Sequence, residues 1–318
     1  MFKKIGSLRI TLILLFILAL SSMFGTVIAQ HEADDFFNSS YYNLLLFCLG
    51  LNLLVCTVNS FKFVLLKDWR KMAIFLLHCG VLVVFAGALI SRYTKQEQRY
   101  TLLPNEKIVL LDQGVEIVFK KLSIEYYPGG QIAKEYRSQI DLFDGGDFKK
   151  EYSLRVNHPL KYKGFSFYQS SFNVLADVEI EIFHHNKLLW KGLWAHAKPL
   201  QLKGENALNI KMTHFLPDVS VNKQGIIELR SYKLGNVAML ISVYRKEVMV
   251  HEQWVFPFNT DMTQTEGQTG IFDFKVKKIT PVYETVIQSI RDPGLGFVMS
   301  GFALMFWGLI MLGVKKKA

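Results

Sequence analysis

The chain has 318 residues, half of them hydrophobic and 14% aromatic, with a formal net charge of +10. Its apolar residues are concentrated in a few long runs, which is typical of a membrane protein and argues against an ordinary water-soluble enzyme. Because the basic residues cluster beside those runs, we attribute the positive charge to membrane topology and not to nucleic-acid binding.

Four of these runs are long enough to cross roughly 30 Å of hydrocarbon as helices. In chain order they are residues 10–28, 42–61, 72–91 and 294–314. The sequence therefore predicts four transmembrane helices, three N-terminal and one C-terminal. They divide the chain into a helical part at 1–91, an outer segment at 92–291, and a last helix with a basic tail at 292–318.

The first run has a second interpretation. Lys3 and Lys4, followed by an apolar core and by the small residues VIA before Gln30, resemble a secretory signal with a cleavage site. The apolar core is long for a signal, so we expect a retained helix. The remaining topology is the same in both cases.

Basic clusters orient the four predicted spans. One cluster precedes the first span, one lies between the second and third, and one follows the fourth, whereas the link between the first and second spans is acidic. Lysine and arginine favour the cytoplasmic side of short loops. We therefore expect both termini in the cytoplasm and the outer segment on the far side. The clusters are Lys3, Lys4 and Arg9; Lys62, Lys67, Arg70 and Lys71; and Lys315, Lys316 and Lys317.

The outer segment carries the pattern of β-strands. VEIVFKKLSIEYY, RSQIDLF and DVEIEIF alternate apolar and polar residues, with turns predicted at Asp144-Gly145-Gly146 and near His185-Asn186. Turn signals recur about every ten residues, without a long amphipathic helix, which indicates a large all-β domain built as an antiparallel sandwich or open barrel. Later strands are expected over residues 226–232, 238–244 and 248–256.

Catalytic motifs such as GxSxG, HExxH or a glycine-rich phosphate loop are missing from the outer segment. Its adjacent histidines, His184 and His185, are typical of a solvated turn. The three cysteines, Cys48, Cys56 and Cys79, lie in predicted spans without a CxxC motif, so we interpret them as small buried hydrophobes. Binding or scaffolding is the favoured role of the outer segment.

One histidine interrupts the third predicted span. His78 stands in AIFLLHCGVLVVFAGAL, about 9 Å inside the helix from its cytoplasmic end. An ionisable group at that depth is costly, so it is either hydrogen-bonded between helices or functional. Leu82 and Phe85 share its face, whereas Gly80 and Gly87, on roughly the opposite face, would let another helix approach closely.

The stretch RVNHPLKYKGFSFYQSSF, residues 155–172, resembles the signature of the ResB family, also called CcsB, of the System II pathway of cytochrome c biogenesis. The three N-terminal runs and RDPGLGFVMSGFALMFWG are similar to the helices of this family, and IEYYPGGQIAKEYRSQIDLFDGG to the strand before the signature. Residues 175–285 match nothing specific, and the chain is short for the family.

This resemblance implies a haem-handling and scaffolding subunit in a bacterial inner membrane. Such a subunit works with a tryptophan-rich membrane protein of the CcsA (ResC) type to deliver haem b to the outer face and attach it to the CxxCH cysteines of apocytochrome c. The chain has no WWD-like segment. Bond formation is therefore expected on the partner, and this chain is a non-catalytic or co-catalytic subunit.

The resemblance also implies roles for particular residues of the third span. His78 would be an axial ligand of haem iron, Leu82 and Phe85 would pack against the macrocycle, and a second axial ligand would come from the partner. The alternative function is a membrane-anchored extracytoplasmic scaffold of another envelope complex, in which His78 is only structural.

The aromatic signature has two interpretations. Alternation places Phe165, Phe167 and Gln169 on one side of a strand, where aromatic side chains build a core by packing. In the second interpretation, a surface formed by Tyr168, Gln169 and Phe172 is presented to apocytochrome or to the CcsA-type partner.

Overall fold

A computed structural model describes residues 7–27, 33–64, 69–110, 114–128, 130, 132–195, 198–202, 207–221, 226–258 and 272–313. Contacts divide the chain into a helical unit, which runs to Gln96 and resumes at Arg291, and a β unit, Glu97–Ile290. Several residues used in the sequence analysis lie outside the described ranges, namely Lys3, Lys4, Ile28, Ala29, Gln30, Lys67, and Lys315 to Lys317.

Four helices are long and apolar enough to cross a membrane, which confirms the predicted number and order of spans. Their ends differ from the predicted ones by a few residues. The sequence analysis did not predict a short helix in the acidic link. Its Phe36 and Phe37 contact Phe24 and Tyr42 of the flanking helices, and such contacts are not visible in the local sequence. The helices are α1 (Leu8–Val27), α2 (Ala33–Asn38), α3 (Ser40–Val64), α4 (Trp69–Thr94) and α5 (Leu295–Gly313).

Helices α4 and α5 pack antiparallel along a seam of small residues that repeat every seven positions. Small residues at such spacing stack on one helix face and let two backbones touch. The close approach predicted at Gly80 and Gly87 is confirmed, and the neighbour is the C-terminal span. The facing pairs are Ala73 with Gly308, Gly80 with Gly301, and Gly87 with Gly294.

Hydrogen bonds between side chains also connect the helices. The Thr11 hydroxyl of α1 donates a 2.7 Å hydrogen bond to Oδ1 of Asn52 on α3, a residue only 1% exposed. The Ser91 hydroxyl of α4 donates to Asp292, just before α5, at 2.6 Å. Within an apolar environment such bonds contribute about 0.6–2 kcal/mol each. They hold α1 on α3, and α4 on the start of α5.

The β unit has fifteen strands among its described residues, arranged in several open antiparallel sheets, so the all-β prediction is confirmed. The strands are β1 (Gln96–Leu102), β2 (Lys107–Leu110), β3 (Val115–Tyr126), β4 (Ala133–Asp144), β5 (Asp147–Arg155), β6 (Leu160–Tyr162), β7 (Phe165–His184), β8 (Lys187–Trp194), β9 (Leu200–Leu202), β10 (Leu208–Leu216), β11 (Val219–Val221), β12 (Ile227–Leu229), β13 (Ala238–Arg245), β14 (Val248–Val255) and β15 (Phe272–Arg291).

The sheets have the orders β2-β3-β4-β5, β14-β13-β10-β9, β11-β12 and β1-β15-β7-β6, with β8 also paired to β7. The turns predicted at Gly145-Gly146 and His185-Asn186 are confirmed, and these four residues have positive φ. Positive φ at both central positions matches the right-handed twist of hairpin strands.

Strands β7 and β15, each 20 residues long, pair antiparallel along almost their whole length. Each carries one bulge, where Ser170 and Lys277 are the extra residues. A bulged residue shifts the alternation of a strand by one position. Before Ser170 the buried residues of β7 have odd numbers, as at Phe165 and Phe167. After it they have even numbers, as at Val178.

The ribbon of β7 and β15 serves two separate cores. In the first core, Phe167 and Ile287 of the ribbon pack with Ile140 and other side chains of β2 to β5. In the second, Ile180 and its neighbours pack against β10 and β13. Phe165 and Phe167 therefore have the core role that the packing interpretation of the signature predicts.

The strand predicted over 226–232 is too long. Only Ile227–Leu229 pairs, with β11, and the chain then bends around buried Asp218. This carboxylate, 2% exposed, accepts hydrogen bonds from Arg230 at 2.7 and 2.9 Å, from the Ser231 hydroxyl at 2.9 Å and from the Asn236 N–H at 3.0 Å. Burial disfavours its charge, but these donors outweigh that effect and hold the pKa of Asp218 below its ordinary value.

Gly301→Val should separate α4 from α5. A Cβ at Gly301 would lie 2.7 Å from the Gly80 carbonyl oxygen and 2.8 Å from the Val84 nitrogen, and backbone atoms cannot move aside cheaply. We expect a loss of about 1–3 kcal/mol, seen as a lower thermal unfolding midpoint in detergent. Gly296→Val in the same helix is the control, since a Cβ there meets nothing within 4 Å. Equal thermal unfolding midpoints for the two variants would contradict the close packing of α4 against α5.

Asp218→Asn should destabilise the β unit at neutral pH by about 1–3 kcal/mol, because the amide keeps one acceptor oxygen where the carboxylate has two and carries no charge to pair with Arg230. The lowered pKa fixes the pH dependence. The contribution of the carboxylate is present above its unfolded pKa of about 3.9 and is lost as pH falls through the folded value. Chemical denaturation of wild type and variant at several pH values measures this, and a difference that grows toward acid pH would refute it.

Candidate functional site

His78 projects from α4 on the side away from the glycine seam. Its side chain is half-buried, and its Nδ1 atom is enclosed without a hydrogen-bond partner among the described residues. A purely structural histidine in a membrane is expected to be satisfied by a neighbouring helix. The described part of the chain supplies no such partner for Nδ1, so the hydrogen bonds expected of a purely structural histidine are incomplete.

The face of α4 that carries His78 is otherwise apolar. Leu82 and Phe85 follow at i+4 and i+7, which places all three on one stripe of α4, and both are half-buried. Leu89, 56% exposed, continues the stripe at i+11. Phe75, one turn before the histidine, packs against Phe61 of α3 with ring centroids 5.7 Å apart. An apolar stripe with one imidazole fits a flat apolar macrocycle with a metal at its centre.

The turn inside the signature is firmly held. Lys163 and Gly164 both have positive φ between β6 and β7. Asp144, at the end of β4, accepts hydrogen bonds from Lys163 Nζ at 2.6 Å and from the Tyr162 hydroxyl at 2.7 Å. These bonds hold the pKa of the Asp144 carboxyl below its ordinary value. The hydrogen bonds to Asp144 therefore fix the position of the turn from which β7 begins.

Gln169 does not belong on a partner surface, and this part of the sequence interpretation is corrected. It is 4% exposed because it faces the interior together with Phe165 and Phe167. Its amide nitrogen donates to Thr285 Oγ1 and to the Ser171 carbonyl, each at 2.9 Å. Thr285 in turn lies 2.7 Å from the Ser138 hydroxyl. The Oε1 atom of Gln169 has no described partner.

Tyr168 and Phe172 are half-buried and remain available for contact. The ring of Phe172 lies 4.8 Å from that of Tyr136 and 4.8 Å from that of Tyr232. Sequence reasoning missed both tyrosines, since they stand 36 residues before and 60 residues after Phe172 in the chain. Only strand pairing brings the three rings together, so no local motif could have identified them.

Other candidate chemistry is not assembled in the described residues. Among them, no three histidine, cysteine or acidic side chains form a group that could hold a metal ion. Cys48, Cys56 and Cys79 form no disulfide among the described residues and are half-buried. The rings of His184 and His185 lie with centroids 4.3 Å apart and their planes tilted by 58°.

Two curated relatives illustrate what this chain is similar to. The cytochrome c biogenesis protein CcsB of Prochlorococcus marinus strain MIT 9301 is 25% identical over 249 residues, which cover 76% of this chain and 52% of that protein. The CcsB protein of Synechococcus sp. strain CC9902 is 21% identical over 400 residues, covering 96% and 86%. The chain thus spans about half the length of the first curated relatives it matches.

Among solved structures, cytochrome c heme lyase CcmF aligns with 96% of this chain and 34% of its own, with 13% identity and a TM-score of 0.32. That score is too low to establish a common fold. The family assignment rests instead on a match to a model of the ResB-like family. It matches residues 67–316, from the start of α4 to beyond the end of α5, and the chain therefore belongs to the ResB-like family.

Proposed function

We propose that this protein is the haem-handling and scaffolding subunit of a System II cytochrome c synthase. It would work with a tryptophan-rich CcsA (ResC) type protein to deliver haem b to the outer face of a bacterial inner membrane, for covalent attachment to CxxCH apocytochrome c. Family membership supports the pathway. The observation that carries the haem role is the enclosed, unpartnered imidazole nitrogen of His78 on an apolar face of α4.

In this proposal haem is cargo, and the chain contributes binding and orientation. The imidazole of His78 supplies one axial ligand, and Leu82 and Phe85 cover the macrocycle and exclude water. The glycine seam fixes α4 against α5, so the histidine is presented from a rigid helix. The second axial ligand comes from the partner, which makes the haem site part of an interface between two proteins.

The proposed topology places both termini in the cytoplasm and the β unit outside. Its support is the distribution of lysine and arginine beside the spans and the acidic link between α1 and α3. The β unit then meets apocytochrome on the side where haem is attached. Tyr168 and Phe172 are the residues of the predicted partner surface left available for that encounter, whereas Gln169 faces the interior with Phe165 and Phe167.

His78→Ala should remove or alter bound haem. The protein co-purified with its CcsA-type partner is examined by absorption spectroscopy, with and without added imidazole. We expect loss of haem or a shifted Soret band, and recovery on adding imidazole, because free imidazole can occupy the vacant ligand position.

His184→Ala is the matched control, since it removes a histidine of the β unit and should leave the spectrum unchanged. If His78→Ala retains the wild-type spectrum and normal cytochrome c maturation, the haem role is refuted. The extracytoplasmic scaffold would then be the better account of the protein.

A further inference from the structure

Beyond its apolar residues, the face of α4 that carries His78 reaches a basic residue at each end. Lys71 precedes the histidine by seven positions and Arg92 follows it by fourteen, so both share its side of the helix. We call this face the histidine stripe, and its members are Lys71, Phe75, His78, Leu82, Phe85, Leu89 and Arg92.

The glycine seam determines which way the histidine stripe faces. Lys71 stands two residues before Ala73, as His78 stands two residues before Gly80, and both small residues contact α5. Two positions correspond to a rotation of about 200° around the helix axis, so Lys71 and His78 lie on the side away from α5. Trp69 Nε1 donates a 2.8 Å hydrogen bond to a backbone carbonyl of α5 and holds the helical turn that contains Lys71.

Distance along the helix distinguishes the two basic residues. At 1.5 Å per residue, Lys71 lies about 10 Å from His78 along the axis, whereas Arg92 lies about 21 Å from it. Haem carries both of its carboxylates on one edge, on the order of 10 Å from the iron at ordinary covalent bond lengths. Lys71 therefore stands at the level of this edge when His78 binds the iron, and Arg92 is about twice as far away.

The carboxylates are the part of haem least compatible with hydrocarbon. An ionised carboxylate withdrawn from water needs a cation or hydrogen-bond donors. Lys71 is exposed in the first turn of α4, and a lysine there can lay its apolar stem along the helix and present its ammonium at the border with water. The opposite orientation of haem would direct the carboxylates toward Leu82 and Phe85, in a segment that has no charged residue before Arg92.

We propose that Lys71 binds the propionate carboxylates of the haem held by His78, so that the propionate edge lies toward the N-terminal end of α4. This inference rests on the proposed function and adds a second haem-binding residue with a different chemistry. An axial bond alone leaves the macrocycle free to rotate about it, and the bond from the lysine removes that freedom. Lys71 thereby selects macrocycles with free carboxylates.

The test compares haem with haem dimethyl ester, in which both carboxylates are blocked. The full chain with its CcsA-type partner is prepared in nanodiscs from haem-deficient cells, and each ligand is titrated by its Soret absorbance. Wild type should bind haem more tightly than the ester. Lys71→Gln should weaken haem binding about tenfold or more and leave ester binding unchanged, because a hydrogen bond to a charged group contributes at least that much.

Three further variants test position and charge separately. Arg70→Gln is the matched control, because it removes a cation from the same helical turn at a position rotated by about 100° from Lys71. Arg92→Gln removes the cation of the histidine stripe that is too far away. Both variants should keep the wild-type preference for haem over the ester. Lys71→Arg should keep it as well, since it retains the positive charge.

Several outcomes would overturn the proposal. One is an equal preference for haem over the ester in wild type, Lys71→Gln and Arg70→Gln. A lysine that only anchors the helix to lipid phosphate would change both affinities equally when replaced, or neither of them, and this result would also overturn the proposal. Loss of the preference in Arg92→Gln, with Lys71→Gln unchanged, would place the carboxylates at the other end of α4.

His78→Ala in the same titration separates this proposal from the proposed function. If His78→Ala loses haem while Lys71→Gln matches wild type, only the role of Lys71 is refuted and the proposed function stands. If His78→Ala binds haem with the wild-type affinity and spectrum, the haem role of this chain is refuted. The role of Lys71 is then refuted with it, because the position of the carboxylates is measured from His78.

Discussion

The antiparallel pairing of β7 with β15 determines where both cores of the β unit form. A strand presents alternate side chains to opposite faces, so one strand can normally serve a single buried face. The extra residue at Ser170 reverses the parity of the buried positions of β7 from odd to even and so keeps them on one face, since Gln169 pairs with Ile287 and Phe172 with Thr285. The two cores therefore lie at the two ends of one face of the ribbon. At the reversal the aliphatic core gives way to Ser138, Gln169 and Thr285, which are buried and polar.

The direction of His78 is set by a comparable constraint in the helical unit. The small residues of α4 must face α5, because only there can two backbones meet, and this fixes the rotation of α4 about its own axis. Once that rotation is fixed, a histidine two residues before Gly80 points away from α5. The contact between α4 and α5 therefore determines where the imidazole lies and which way it points. No contact made by the imidazole itself is required.

Much of this architecture can be read from local pattern. Long apolar runs predicted the four spans, alternation with turn residues predicted the β unit, and the heptad of Gly80 and Gly87 predicted a close helix contact. The sequence could not predict features that depend on contacts between distant segments of the chain. The sequence could not decide between the two interpretations of Gln169, because the Thr285 side chain that accepts its hydrogen bond lies 116 residues later in the chain. The strand expected to reach 232 ends at 229 because Asp218 accepts hydrogen bonds from Arg230. The rings around Phe172 meet only through strand pairing.

The seam between α4 and α5 also has a consequence for biosynthesis. Its two halves are separated in the chain by the whole β unit, so α4 enters the membrane with its glycine face uncovered and must wait for roughly 200 further residues. At a synthesis rate of about 5–20 residues per second, that interval lasts roughly 10–40 seconds. During it the β unit is synthesised and begins to fold while tethered at one end. Closure of the helical unit is therefore among the last events in its assembly.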